Sequence, residues 1–166
     1  MPARDFASVY DEQVWLVYGF FAYRLRSRPD AEDLTQQTFE RALRAWSRYD
    51  PQRASIPTWL MTIARNLLVD HLRADRQARQ QPLDEHTGDA VDDRHSLGLD
   101  PDLQRALETL GERERELIAL RYGGDLSGPE IAELTGLSLA NVQQIVSRSL
   151  RRMRASMESE RATSER

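Results

Sequence analysis

Between residues 126 and 154 the chain reads LSGPEIAELTGLSLANVQQIVSRSLRRMR, placing Asn141, Gln143, Gln144 and Ser147 directly ahead of Arg148, Arg151, Arg152 and Arg154. Asn and Gln amides can pair bidentately with adenine edges in the major groove, and arginines neutralise phosphates. Together on one helix these residues suit base reading, in which no bond is made or broken. A helical hairpin with a solvated basic end would use the same residue types, since cations complement a helix C-terminus.

The framework beneath them favours DNA. Ser127 and Glu130 have the S-x-x-E spacing of a capping box, Pro129 suits a first helical turn, and Gly136 supplies the left-handed residue at the bend. Ser138 then caps a second helix, Ala132 is small enough for a close crossing, and Val142 and Ile145 form the inner face. Asn141, Gln143, Gln144 and Ser147 are left facing outward, as a helix-turn-helix requires of its second helix.

Net charge stands against this reading. The 166 residues carry 23 basic and 27 acidic side chains, a formal charge of −4, the wrong sign for a protein that finds DNA unaided. The charge is unevenly spread. Residues 41 to 80 hold eight arginines against three acids, and residues 145 to 154 hold four against none, so two local basic faces sit in an acidic whole.

The elements that position these faces follow from apolar spacing. Ile56, Trp59, Leu60, Ile63 and Leu67 recur at three and four residues, as do Phe39, Leu43 and Trp46, and period-two alternation is nowhere sustained. The spacing predicts helices over 5–27, 31–47 and 56–76, with Asp30 as the cap of the second and Pro51 and Pro57 breaking the chain between the last two. Further helices are expected over 101–109, 112–122, 128–135 and 139–155. Eleven of the twelve aromatic residues precede residue 60, so the first half should own the larger core. Residues 81 to 102 hold seven acids against one arginine and little periodicity, which reads as a linker. The expectation is an all-α protein of two small helical domains on a flexible acidic tether: 1–80, a linker at 81–101, 102–156 and a polar tail at 157–166.

Other chemistry finds little support. The chain has no cysteine, and its three histidines (71, 86 and 95) show no paired ligand spacing, so no metal is expected. Neither a nucleophile with its base nor a phosphate-cradling glycine loop is present, and neither an enzyme nor a cofactor is expected. The N-terminus lacks signal-peptide features and no apolar run approaches a membrane span, so a cytoplasmic protein without membrane insertion is expected.

Four segments in order, DAEDLTQQTFERALRAW (30–46), TWLMTIARNLLVDHLR (58–73), LETLGERERELIALRY (107–122) and the helix-turn-helix, resemble bacterial sigma factors of the extracytoplasmic-function type, within the sigma-70-like family. The resemblance implies a promoter-specificity subunit of RNA polymerase. Its region two would bind the polymerase core at the clamp helices and open the minus-ten element; its region four would read the minus-thirty-five element. An anti-sigma factor is the further partner implied. Polymerase would then supply most of the DNA attraction, which reconciles the acidic total with a DNA-reading device.

The resemblance also implies residue roles. Asp33, Gln36, Gln37 and Phe39 match clamp contacts, though core packing explains Phe39 equally well. Asn66 matches a position lining a pocket for a flipped-out base, with the loop from Tyr49 to Pro57, including Arg53, as the other wall. Arg65, His71, Arg73 and Arg76 would follow the opened strand, and a solvated helix face is their plain alternative. Ser138, Asn141, Gln143, Gln144, Ser147, Arg148, Arg151 and Arg152 would serve the upstream element. Relatives usually begin that helix with threonine and basic residues, a pattern Asn141, Gln143, Gln144 and Ile145 replace. Two other functions fit the same features, a stand-alone helix-turn-helix regulator and a helical polymerase- or sigma-binding protein that does not read DNA.

Overall fold

The computed structural model describes residues 4–80 and 97–166, and among them every regular element is helical. The acidic stretch expected to be a flexible tether lies mostly outside the described residues.

Three helices build the first half. Helix α1 (Phe6–Arg24) is apolar on several faces and buries Val9, Val17, Phe20 and Phe21. Helix α2 (Arg28–Ala45) starts earlier than its apolar spacing indicates. Its cap is Ser27, whose hydroxyl accepts the Asp30 N–H at 3.3 Å, so Asp30 sits in the first turn instead of capping it. Pro29 explains the shift, because it lacks an N–H and its fixed φ suits the first helical positions. A short 3-10 turn (Trp46–Arg48) leads into the loop, and Ser55 opens helix α3 (Ile56–Gln80) by accepting the Thr58 N–H at 3.3 Å. Helix α3 outruns its expected end at residue 76, and Asp75 and Arg79 pair across its added turn at 3.1 Å.

The second half contains α4 (Pro101–Glu108), α5 (Glu112–Ile118), a π turn (Ala119–Gly123), α6 (Gly128–Thr135) and α7 (Leu139–Ser164). Residues 157–164, expected as a polar tail, continue α7. Met157 packs against the cluster of Ala106, Leu107, Leu110, Ile118 and Met153, and Glu160 accepts from Arg105 Nε at 2.7 Å. The few inward positions here are too widely spaced to stand out among polar residues.

The two halves share a core. Val17, Phe20 and Phe21 of α1 lie in one buried cluster with Leu117, Ala119, Leu120 and Leu126. Across the junction Tyr18 donates to the Leu97 carbonyl at 3.1 Å and Arg24 to the Glu112 carbonyl at 2.9 Å. Burial lowers the pKa of Arg24, with Glu116 pulling the other way. The described helices of the two halves therefore pack against each other.

Candidate nucleic-acid and polymerase interface

The helix-turn-helix forms as its residue types require. Ser127 accepts the Glu130 N–H at 3.3 Å while Glu130 accepts the Ser127 N–H at 2.7 Å, completing the capping box. Gly136 holds φ at 73° and its N–H bonds the Ala132 carbonyl. Side chains other than glycine seldom adopt that angle, so the bend is fixed by residue type. Ser138 caps α7 by accepting the Asn141 N–H at 3.1 Å.

With the helix so started, Val142 is buried and Ile145 half-buried, while Asn141, Gln143, Gln144, Ser147, Arg148 and Arg151 are all exposed. The hydroxyl of Ser138 is already committed to the cap, leaving the amides as the main base-edge donors and acceptors. Arg152, also exposed, donates to Glu114 at 2.8 Å, and Glu114 in turn accepts the Gly111 N–H at 3.2 Å. Arg152 therefore ties α7 to α5 as well as presenting charge.

On α2 the candidate polymerase contacts form a polar row, with Asp33 and Gln36 exposed and Gln37 half-buried. Gln37 donates to Asp33 at 2.8 Å and Gln36 to Glu40 at 3.1 Å, each one turn apart. Phe39 lies elsewhere. It is buried, with ring centroids 4.8 Å from Tyr10 and 6.4 Å from Phe6 in edge-on contacts, so its visible role is packing α1 on α2.

Beside this row runs a cleft of about 800 Å³ between α1 and α2 that sequence reasoning missed. Tyr10, Val14, Trp15 and Tyr18 line it from α1, and Phe39 and Leu43 from α2; Trp15 is 76% exposed and Leu43 57%. The signal was available in α1, whose apolar residues surround the helix and so must cover more than one face.

The candidate minus-ten face lies on α3 and the loop before it. Tyr49 stacks on Trp46 with centroids 5.3 Å apart and ring planes 4° apart, and its hydroxyl donates to the Ala54 carbonyl at 2.9 Å. Tyr49 thus shapes the loop wall more than it projects from it. Arg53 at the tip is highly exposed, 3.8 Å from Asp50. Asn66, Arg73 and Arg76 are exposed, whereas His71 is half-buried with Nε2 3.7 Å from an Asp30 oxygen.

Arg65 differs from its neighbours. Its Nε donates to Glu116 at 2.7 Å and its guanidinium also reaches the Leu134 carbonyl at 2.9 Å. The candidate strand contact is thus held by the second half of the chain, as is Ser55, which reaches Glu130 at 3.4 Å. Glu116 was not singled out in the sequence, where ERERELI offers several similar acids.

Among the described residues no His, Asp or Glu cluster of three or more has a metal-holding arrangement, and no helix is long and apolar enough to cross a membrane.

Comparison with known proteins follows the same division. Residues 10–78 match Sigma-70 region 2 and residues 101–153 match Sigma-70, region 4. The ECF RNA polymerase sigma factor RpoE of Cereibacter sphaeroides is 32% identical over 155 residues, covering 92% of this chain and 86% of that protein. The ECF RNA polymerase sigma factor BldN of Streptomyces coelicolor is 31% identical over 160 residues, covering 90% of this chain and 59% of that protein. Among solved structures, CnrH in complex with the cytosolic domain of CnrY superposes with a TM-score of 0.67 at 26% identity, covering 93% of this chain and 88% of that one. The sigma factor RpoE in complex with the anti-sigma factor NepR from Bartonella quintana shares the fold, with a TM-score of 0.74 at 22% identity and coverage of 93% of this chain and 97% of that one. With both family regions in order and relatives matched along nearly its whole length, the chain belongs to the extracytoplasmic-function sigma factors, which bind RNA polymerase core and direct promoter-specific initiation.

Proposed function

We propose a division of the promoter between two faces of this sigma factor, acting in the cytoplasm without catalytic chemistry of its own. Residues 1–80 serve as region two and residues 102–156 as region four. In region two, Asp33, Gln36 and Gln37 meet the polymerase clamp. Asn66 receives an unstacked base of the minus-ten element against the loop carrying Tyr49 and Arg53, and Arg65, His71, Arg73 and Arg76 follow the opened strand. In region four, Asn141, Gln143, Gln144 and Ser147 read base edges of the minus-thirty-five element from a helix started by Ser138, and Arg148, Arg151 and Arg152 hold phosphates.

The observation that carries this reading is the row of exposed amides on α7, set above a buried Val142 and a completed capping box. Acidic total charge fits a subunit that borrows the DNA affinity of polymerase. The solved relative bound to the anti-sigma factor NepR supports placing a protein inhibitor among the partners.

Run-off transcription with purified polymerase core tests the proposal. Adding the chain should yield transcripts of defined length from its promoter and none from a template with scrambled minus-ten and minus-thirty-five elements. Equal transcription from both templates would refute promoter selection.

A further inference from the structure

We infer that a cleft at the junction of α1, α3 and α5 is a binding site for a small anion carrying a chain of phosphates. The cleft measures about 470 Å³, a size suited to a small-molecule site. Five arginines line it: Arg24 at the end of α1, Arg26 in the connection to α2, Arg76 and Arg79 on α3, and Arg115 on α5. The acids along its walls are Asp30, Asp75 and Glu112, so the lining is positive in a chain whose total charge is −4. Diffuse attraction does not bring a polyanion to this chain, and only a local cluster can hold one.

The acids leave most of the arginines uncompensated. Asp75 pairs with Arg79 at 3.1 Å, and Asp30 faces His71 Nε2 at 3.7 Å. Arg24 donates to the Glu112 carbonyl at 2.9 Å, and its Nε is buried without a hydrogen-bond partner. Arg115 donates to the carbonyls of Leu107 and Leu110 at 3.1 and 3.2 Å. Both guanidinium groups are thus fixed by neutral carbonyls, which orient them without cancelling their charge. Burial lowers the pKa of Arg115, and the charge of Arg26 beside it lowers it further. Burial likewise lowers that of Arg24, where Glu116 pulls the other way and Arg115 adds to the depression. Like charges converge on one cleft, and a bound anion relieves their repulsion.

The lining also selects the kind of anion. Guanidinium forks hold phosphate oxygens through paired N–H donors, and several linked phosphates engage several arginines at once. Leu25 and Leu72, both half-buried, add apolar surface on which a nucleobase can rest. A nucleoside polyphosphate and a bare polyphosphate chain share this chemistry. A DNA strand fits less well, because Arg24 and Arg115 are recessed and tied to backbone carbonyls, whereas Arg73 stands out on its helix. The site stands without the reading of Arg76 as a strand contact.

Calorimetric titration of the full-length chain tests it, with adenosine triphosphate, guanosine triphosphate and inorganic tripolyphosphate as probes at physiological salt without divalent cations. Saturable one-to-one binding is expected. Tighter binding of a nucleotide than of tripolyphosphate would identify a nucleotide ligand, and equal affinities a bare phosphate chain. Arg24 and Arg115 also support the fold, so the test variants are Arg26→Glu and Arg76→Glu, at exposed side chains with no hydrogen bond or ion pair among the described residues. Each should weaken binding by about tenfold or more, the loss of one charge-assisted contact. Arg44→Glu, the same change of charge at an exposed position near the far end of α2, should leave affinity unchanged. No saturable binding of any probe, or equal losses in Arg26→Glu and Arg44→Glu, would overturn the site. Tighter binding of oligo-dT than of all three probes, lost in the same variants, would give the cleft to a nucleic-acid strand and overturn the small-molecule assignment.

Discussion

Gly19 and Gly123 meet backbone to backbone: a Cβ placed on Gly19 would lie 2.5 Å from the Gly123 carbonyl oxygen, and one on Gly123 would lie 2.6 Å from the Gly19 carbonyl oxygen. Neither obstacle is a flexible side chain, so one methyl group must displace a helix. Gly19→Ala should therefore destabilise the chain by about 1 to 3 kcal/mol, the usual cost of overpacking, despite the better helix propensity of alanine. Thermal unfolding followed by circular dichroism checks this, with a melting temperature lower by several degrees expected. An unchanged or raised value would mean that the two halves do not meet at these glycines in solution.

The first helix of the helix-turn-helix allows a second stability test at its N-terminal cap. Ser127 satisfies the Glu130 N–H and Glu130 returns the bond, so Ser127→Ala removes one half of a reciprocal pair. A cost of about 1 kcal/mol is expected, and at this chain length it corresponds to a fall of about 2 to 4 °C in melting temperature. Ser127→Asp should recover most of the loss, since an aspartate can accept the same N–H.

Local chemistry of this kind is what the sequence makes legible. The capping box, the Gly136 bend and the alternation of buried Val142 with exposed Gln143 and Gln144 depend on residues within one or two turns of each other. The Gly19 to Gly123 approach and the Arg65 to Glu116 pair join residues 104 and 51 positions apart, beyond the reach of periodicity. The cap of α2 is ambiguous in the sequence for a local reason: Asp30 and Ser27 are both good caps, and Pro29 decides between them. Phe39 illustrates the ambiguity of a large apolar residue on a functional helix, where contact and core readings share one spacing.

Acidic total charge has a measurable consequence. The chain carries a formal charge of −4, so the free protein should bind promoter duplex weakly at physiological salt and the holoenzyme strongly. Gel shifts with chain alone, core alone and both together separate the cases. Tight, sequence-specific binding by the chain alone would favour a stand-alone regulator.

Asn66 is exposed on α3 beside Arg65, where an amide could meet the edge of an unstacked base. Asn66→Ala should reduce open-complex formation on duplex promoter while changing polymerase-core affinity by less than about 1 kcal/mol, the scale of an ordinary surface substitution. Permanganate reactivity of bubble thymines reports the opening, and fluorescence titration with core reports the affinity. Undiminished reactivity would remove Asn66 from the minus-ten site.

Upstream reading is decided on α7, where Asn141, Gln144 and Arg148 follow one another at three and four residues and Gln143 and Ser147 form the adjacent stripe, all exposed. An amide that reads a base should cost about 1 to 3 kcal/mol when removed, with the loss concentrated at one promoter position. A phosphate-binding arginine should instead weaken every sequence alike and flatten the salt dependence. Gln143→Ala and Gln144→Ala are expected to show the first behaviour and Arg151→Ala the second, with helix content unchanged because none of the three side chains is part of the core or a cap. Arg152→Ala should combine salt flattening with some loss of stability, since Arg152 also holds Glu114 at 2.8 Å. Holoenzyme binding to single-base variants across the upstream element, at two salt concentrations, distinguishes these patterns. Uniform losses for both glutamine variants would mean that the amides do not read bases and that recognition there rests on DNA shape and arginine contacts.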